Sequence, residues 1–270
     1  MRFISIILAV AIAGSVVGCG QTSGPPTIAS SLPRDIIDLG ALVTEDLPER
    51  VWGQAILRDR GWYEKQNVFD VRIVQQELPG GTVSVSNSYY TFFNHGGPHV
   101  DAPNHIGLSG GLDSYPVDVF VGSLRVFDVS SFSPGRSIST QYFRDKSIGS
   151  GDIVLLYTGY TPPQNEAAYP SNVTMTREAA QYLASIPVKA IGTDAHSLYT
   201  YDDDRPVEAD TALGSAAPVH EVFLSRSIPI YEELFNVDEL LGHENMLFIG
   251  VPLNVQDGDG MMVRPVVFVY

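Results

Sequence analysis

The sequence predicts an α+β domain with a mixed β-sheet and flanking helices. Short segments rich in β-branched and aromatic residues dominate the first half of the chain, whereas helical spacing of apolar residues appears only in the second half. The length of 270 residues allows one sizeable core, and the single cysteine leaves no partner for an internal disulfide. The core must therefore supply the stability.

The first predicted strands form a β-hairpin. Residues 71–76 and 83–93 have strand composition, and Pro79-Gly80-Gly81 between them is a turn signal. This hairpin leads directly into a cluster of histidines. Further short strands, bounded by Gly and Ser, are predicted at 124–129 and 152–157.

Helices are predicted later in the chain. Residues 176–186 place Ala179, Ala180 and Leu183 at helical spacing, with Thr176 as a plausible cap and Pro187 at the end. The remaining predicted elements are a buried strand at 188–192, a short helix that begins at Pro218, and final strands at 246–251 and 263–269.

The N-terminus predicts export. A basic residue is followed by an uncharged apolar run over 3–17, which is too short to span a bilayer. The run ends in Val16-Val17-Gly18-Cys19, which resembles the bacterial lipoprotein processing box, although an ordinary signal peptide is the alternative. We expect a signal peptide over 1–18 and a lipid anchor on Cys19, which would tether the protein on the extracytoplasmic side of a membrane.

A flexible linker is expected to separate this anchor from the fold. Residues 19–32 are rich in Ser, Thr, Gly and Pro without periodicity, so a single globular domain should span 33–270. The formal net charge of −15 argues against a nucleic-acid partner. A small molecule is the expected substrate.

The chemistry is concentrated in the segment His-Gly-Gly-Pro-His-Val-Asp-Ala-Pro-Asn-His at 95–105. His95, His99 and Asp101 offer two nitrogen donors and one oxygen donor, a mixture that suits Zn²⁺, Mn²⁺ or Fe²⁺. The Gly-Gly-Pro segment cannot be a regular strand, so the backbone must turn and bring both rings toward Asp101. A divalent ion lowers the pKa of its water from about 15.7 to about 7, and His105 is placed to act as the general acid or base.

This segment and the order of elements resemble the metal-dependent cyclase superfamily, which includes bacterial kynurenine formamidase and isatin hydrolase. Its signature HxGTHxDAPxH is matched at every defined position except one, where Pro98 stands for threonine. Asp38-Leu39, Gly192-Thr193-Asp194 and the region from Gly250 to Arg264 also resemble family landmarks. The resemblance implies a swivelling β/β/α fold with a barrel-like sheet.

The resemblance also implies a complete metal site. His95, His99 and Asp101 would be joined by His220 and Glu232, which match the family spacing of twelve residues, with Glu233 as the adjacent alternative. In two-metal members Asp101 and Glu232 would bridge the ions. One or two Zn or Mn ions and a homo-oligomer are expected.

Trp52, Phe93 and Asp194 are candidate substrate-binding residues. Core packing is an equal alternative for Trp52, and a structural turn is one for Asp194. Together the residues predict an arylformamidase-like hydrolase that cleaves an amide, aryl formamide or lactam. The alternatives are a cyclase or dehydratase acting on a hydroxy-carbonyl or polyketide-like substrate, and a non-catalytic metal- or ligand-binding lipoprotein.

Overall fold

A mixed β-sheet with few helices confirms the predicted α+β class. The computed structural model describes residues 32–53, 69–77, 79–81, 84–163, 172–198, 201–202, 205–206 and 218–270. The strands are β1 (Asp35–Asp38), β2 (Phe69–Glu77), β3 (Ser84–Phe92), β4 (His99–Asp101), β5 (Val121–Asp128), β6 (Ser137–Ile138), β7 (Ile153–Tyr157), β8 (Thr174–Met175), β9 (Ala190–Thr193), β10 (Tyr201–Asp202), β11 (Arg205–Pro206), β12 (Ile230–Glu232), β13 (Met246–Ile249), β14 (Gly260–Met262) and β15 (Val266–Val269). The α-helices are α1 (Leu47–Trp52), α2 (Thr140–Arg144), α3 (Arg177–Ser185) and α4 (Pro218–Leu224).

The main sheet has nine of the described strands, in the order β1-β15-β13-β5-β7-β9-β12-β4-β14. Its centre, from β5 to β12, is parallel, and both ends are antiparallel. The sheet curls into a half-barrel, which agrees with the barrel-like core that the family resemblance implies. The ends of the parallel strands β9 and β12 border the region that holds the histidines.

Alternate residues of each central strand enter two different apolar layers. In β7, Ile153 and Leu155 belong to the layer inside the curl, whereas Val154 and Leu156 pack toward the helices. The helical layer includes Ala179, Ala180 and Leu183 of α3 together with Val219, Val222 and Phe223 of α4. The helix spacing predicted for 176–186 is therefore confirmed as a packing face.

The predicted β-hairpin is also confirmed. β2 and β3 pair antiparallel from Phe69 opposite Phe92 to Glu77 opposite Ser84, as a sheet of their own. Phe92 packs against the inner core, and the chain then turns toward His95. The hairpin thus anchors the start of the histidine segment.

The strand predicted over 263–269 is confirmed as β15, which begins three residues later, whereas the sequence did not predict β14 just before it. β14 pairs with β4 and β15 pairs with β1 and β13, toward opposite ends of the sheet. Pro265 separates the two strands, and it cannot donate a ladder hydrogen bond because it lacks an N–H group. The break frees β14 to reach the histidine segment.

The predicted signal peptide and Cys19 lie outside the described residues, as does the linker except for its last residue. The lipoprotein assignment therefore stays a prediction. Among the helices that the structure describes, none combines the length and apolar character needed to cross a bilayer.

Thr176 caps α3, since its side chain accepts a hydrogen bond of 3.1 Å from the backbone N–H of Ala179. Replacing Thr176 by Ala should lower the free energy of unfolding by about 1 kcal/mol, because one N–H at the helix start loses its partner. Urea denaturation monitored by circular dichroism measures the change. Ser139 occupies the same position in α2 without a side-chain cap bond, so Ser139→Ala is the matched control and should have a smaller effect.

Candidate metal centre

The candidate metal centre is built on one face of three short neighbouring strands. β4 lies between β12 and β14, and Glu232 of β12 is directly opposite His99 of β4. The intervening residues Val100 and Tyr231 point into the inner core. His99, Asp101 and Glu232 therefore share the other face, because side chains alternate along a strand.

The turn before β4 brings His95 to the same face. Gly97 has a φ of 152°, and a side chain there would collide with Leu47 and Met262, so glycine is required. His95 Nδ1 lies 2.9 Å from Asp101 Oδ1, and His99 Nε2 lies 3.3 Å from the same oxygen. The Nδ1 atom of His99 is held 2.8 Å from the carbonyl oxygen of Gly97, which directs Nε2 toward the carboxylate.

Helix α4 contributes His220 to the centre. His220 is fully buried, and its Nε2 atom lies 3.6 Å from Asp101 Oδ2 and 3.3 Å from Glu232 Oε1. The two oxygens of Asp101 thus face different histidines, with Oδ1 toward His95 and His99 and Oδ2 toward His220. His220 and Glu232, predicted through their spacing, come together as the resemblance implied.

The electrostatics of the centre favour a cation. Asp101 is completely buried, and its two oxygens face the ring nitrogens of His95, His99 and His220. Burial alone would raise its pKa, but the histidines around it hold the pKa well below its usual range. Burial likewise opposes protonation of His95 and His220, yet the carboxylates raise their pKa values to about 9 and about 10.

These groups fit a divalent metal. Buried carboxylates that hold protons on histidines stabilise positive charge at this point, and a metal ion supplies that charge while displacing the protons. Ligand atoms converge in three groups among the described residues: His95, His99 and Asp101; Asp101, His105 and His220; and His95, His105 and the less buried Asp259. Imidazole and carboxylate donors suit Zn²⁺ and Mn²⁺.

The two adjacent glutamates have different surroundings. Glu232 faces His220 and His99, and its Oε1 atom accepts a 2.9 Å hydrogen bond from the Leu198 N–H. Glu233 has a φ of 60°, in the left-handed region, and its Oε1 atom accepts a hydrogen bond from Trp52 Nε1. Burial and the neighbouring Glu232 raise the pKa of Glu233 well above its usual range. The register therefore directs Glu232 to the centre and Glu233 to the wall beside it.

His105 lies at the rim of the centre. It belongs to a 3₁₀ turn, Pro103–Ile106, and its ring centroid is 4.3 Å from that of His95 and 6.1 Å from that of His220. Its side chain is 25% exposed, whereas those of His95 and His220 are 9% and 0% exposed. Burial lowers the pKa of His105, which favours a neutral imidazole that can accept a proton.

A cavity of about 70 Å³ opens onto these groups. Trp52 and Phe93 line it with ring centroids 5.3 Å apart in an edge-to-face arrangement. His196, two residues after Asp194 in the chain, also lines this cavity, with its Nδ1 atom 3.4 Å from Glu233 Oε1. Two of the three predicted substrate-binding residues are thus brought beside the histidines.

The third predicted substrate-binding residue, Asp194, is not among the residues that line this cavity. Its carboxylate accepts hydrogen bonds from the N–H and hydroxyl groups of Thr158 and from the N–H groups of Gly159 and Tyr160. These bonds hold a turn, which agrees with the structural alternative left open for this residue. Asp194 instead borders a neighbouring cavity of about 300 Å³.

Asp259 is a residue that the sequence did not assign to the site. Its Oδ2 atom lies 3.3 Å from His95 Nε2 and 4.0 Å from His105 Nδ1. The hydrogen bond to His95 is the main reason that its pKa is lowered, to about 2. Asp259 lies in the segment 257–260, which resembles the family, but nothing in the neighbouring sequence indicated that it would contact His95, 164 positions away.

Comparison with known proteins agrees with this geometry. The Cyclase family model matches residues 37–199, which is more than half of the chain. The kynurenine formamidase of Salinibacter ruber is 29% identical over 173 residues, covering 64% of this chain and 74% of that protein. The kynurenine formamidase of Bacillus anthracis is 27% identical over 217 residues, covering 79% and 94% respectively.

Solved structures show the same fold. An isatin hydrolase bound to the product analogue thioisatinate superposes with a TM-score of 0.63 at 19% identity, covering 87% of this chain and 92% of that one. The matched family segment includes the eleven-residue histidine motif and the strand that ends at Thr193. The chain therefore belongs to the cyclase family.

Proposed function

We propose that this protein is a metal-dependent hydrolase that cleaves the C–N bond of an amide, aryl formamide or lactam, in the manner of an arylformamidase. The observation that carries the proposal is the pair of buried carboxylates, Asp101 and Glu232, set between histidines and next to the less buried His105. The similarity to kynurenine formamidases over most of the chain supports the same chemistry.

The donors would suit one or two divalent ions. His95 and His99 face Asp101 Oδ1, whereas His220 faces Asp101 Oδ2 and Glu232 Oε1. These five residues would hold the metal, and Zn²⁺ or Mn²⁺ matches their chemistry. When bound, such ions polarise a carbonyl oxygen and make water acidic enough to yield a nucleophile near neutral pH.

His105 then carries the proton. Its Nδ1 atom lies toward Asp259, which leaves Nε2 to face the reacting groups. As water adds to the carbonyl carbon, His105 accepts one water proton; as the C–N bond breaks, it delivers that proton to the leaving nitrogen. A carboxylic acid and an amine are the products of an open-chain substrate.

The substrate is expected to contain an aromatic ring. Trp52 and Phe93 form an edge-to-face wall, and the Trp52 indole is fixed by its hydrogen bond to Glu233. The relatives named kynurenine formamidase support an aryl formamide in particular. Pro98, which replaces the family threonine and has no N–H or hydroxyl to offer, gives this chain its own preference within that class.

The two neighbouring glutamates provide a direct test of the metal site. Glu232→Gln should lower the metal content per chain, because a buried negative charge among the candidate ligands is replaced by a neutral amide. Glu233→Gln is the matched control and should retain the metal content of the parent, since its Oε1 atom faces Trp52 and His196 and its Oε2 atom lies 3.9 Å from Nδ1 of His99, the ring nitrogen that does not face Asp101. Metal content is measured by atomic emission on the purified protein, and equal loss in both variants would contradict the assignment.

His105→Ala should lower kcat on an aryl formamide by about 10²–10⁴-fold, because the proton carrier is removed. Its metal content should remain that of the parent protein. Steady-state kinetics on a panel of aryl formamides, lactams and aryl esters, together with metal analysis, gives both quantities. Full activity of the variant would exclude His105 as the proton carrier.

We further propose that the mature protein is tethered to a membrane through Cys19. The only cysteine of the chain directly follows the small residue that ends the apolar run, as lipid attachment requires. Cys19→Ala should abolish incorporation of labelled palmitate in a bacterial host and shift the protein out of the membrane fraction. A variant that stays in the membrane fraction without label would indicate a different anchor.

A further inference from the structure

We propose that Asp259 is a positioning residue that fixes the orientation of two histidines in the site, His95 and His105. This inference rests on the proposed function, since it concerns how the metal ligand and the proton carrier are held. Its Oδ2 atom approaches one nitrogen of each ring, at 3.3 Å for His95 and 4.0 Å for His105, although the residue is 164 positions away from His95 in the chain.

The contact with His95 determines which nitrogen of that ring faces the centre. Nδ1 of His95 lies 2.9 Å from Asp101 Oδ1, and Nε2 on the opposite side lies 3.3 Å from Asp259 Oδ2. A histidine that binds metal through Nδ1 carries its proton on Nε2, and Asp259 Oδ2 would accept a hydrogen bond from that N–H group. Histidine ligands commonly donate their other N–H group to a carboxylate, which fixes the ring and strengthens the metal bond.

Asp259 is itself held in place. Its Oδ1 atom accepts a 2.8 Å hydrogen bond from the amide of Asn94, the residue just before His95. The same amide donates to the carbonyl oxygen of Gly260 at 3.1 Å. The carboxylate is therefore oriented by the segment that carries its own histidine partner, which a surface acid without a structural task does not need.

Gly260 leaves room for the His95 ring. A side chain at this position would lie within 2.9 Å of His95 Nε2, so the ring occupies the space that glycine leaves. Asp259 and Gly260 thus act as a pair, one by accepting a hydrogen bond and the other by its lack of a side chain. Asp259 therefore favours the orientation in which Nδ1 faces Asp101, and Gly260 keeps that orientation free of a steric clash.

The backbone around Asp259 also holds the segment of His105. The carbonyl oxygen of Asp259 accepts a 2.9 Å hydrogen bond from Ala102, and that of Asp257 accepts a 2.7 Å bond from the side chain of Asn104. The side chain of Asp259 adds a carboxylate 4.0 Å from His105 Nδ1. This charge stabilises the imidazolium that forms when His105 accepts a proton.

The experiment compares Asp259→Ala and Asp259→Asn with the matched control Asp257→Asn. Asp257 is exposed, lies in the same loop, and its carboxylate accepts a bond from Gln256, so the control removes the same charge without touching either histidine. Asn also tolerates the φ of 52° at this position. The probe is Zn²⁺ itself, titrated into metal-stripped full-length protein against a chromogenic chelator.

We expect Asp259→Ala to weaken Zn²⁺ binding about 10–100-fold and to lower kcat, with KM for an aryl formamide little changed. Asp259→Asn, which fills the same space, should show a smaller loss of Zn²⁺ affinity, and Asp257→Asn should bind Zn²⁺ as the parent protein does. Long-range ¹⁵N NMR of the zinc-loaded parent should show the His95 proton on Nε2, and that signal should broaden or shift in Asp259→Ala. Thermal unfolding of the metal-free variants separates these effects from a general loss of stability.

A Zn²⁺ affinity of Asp259→Ala equal to that of Asp257→Asn would overturn the inference. His99→Ala, measured in parallel, keeps this outcome apart from a failure of the proposed function. If Zn²⁺ binding is lost in His99→Ala but not in Asp259→Ala, the proposed metal centre is supported and the positioning role of Asp259 is refuted. Unchanged binding in every variant would instead refute the metal centre.

Discussion

The structure depends on the burial of two carboxylates on one face of the sheet. Asp101 is 0% exposed and Glu232 is 4% exposed, so neither carboxylate is well solvated. Removing an ionised carboxylate from water costs several kcal/mol unless positive charge and hydrogen bonds compensate. The three imidazoles around Asp101 supply this compensation, so segments that are far apart in the chain must converge here. A metal ion provides the same compensation with a larger charge.

Strand register makes this convergence compatible with a stable core. The residues that alternate with His99, Asp101 and Glu232 are Val100 and Tyr231, both fully buried in the inner apolar layer. A shift of one residue in β12 would place Tyr231 in the polar centre and Glu232 in the core. The apolar layer therefore protects the geometry of the site, because any slip that moved a ligand would also expose an aromatic side chain.

The sequence predicted the parts of the fold and site that depend on local patterns. The eleven-residue histidine segment was recognisable because its donors are close in the chain, and the first hairpin because its turn residues lie between two long strands. Strands β4, β12 and β14 have only three residues each, too few to show alternation. The choice between Glu232 and Glu233 consequently needed the observed register. Asp259 escaped prediction because an acid in a glycine-rich run resembles an ordinary turn residue.

The two adjacent glutamates illustrate how one backbone step separates two chemical roles. The histidines lower the pKa of Glu232 against the effect of its burial, so this group remains an anion suited to a cation. Glu233 turns away through a left-handed backbone conformation, which costs roughly 1–3 kcal/mol for a residue other than glycine. Burial and the neighbouring Glu232 raise the pKa of Glu233, which favours its neutral, protonated form. The left-handed turn thus directs the Glu233 carboxyl group away from Asp101 and Glu232. The same carboxyl group accepts the hydrogen bond that orients Trp52 at the wall of the cavity.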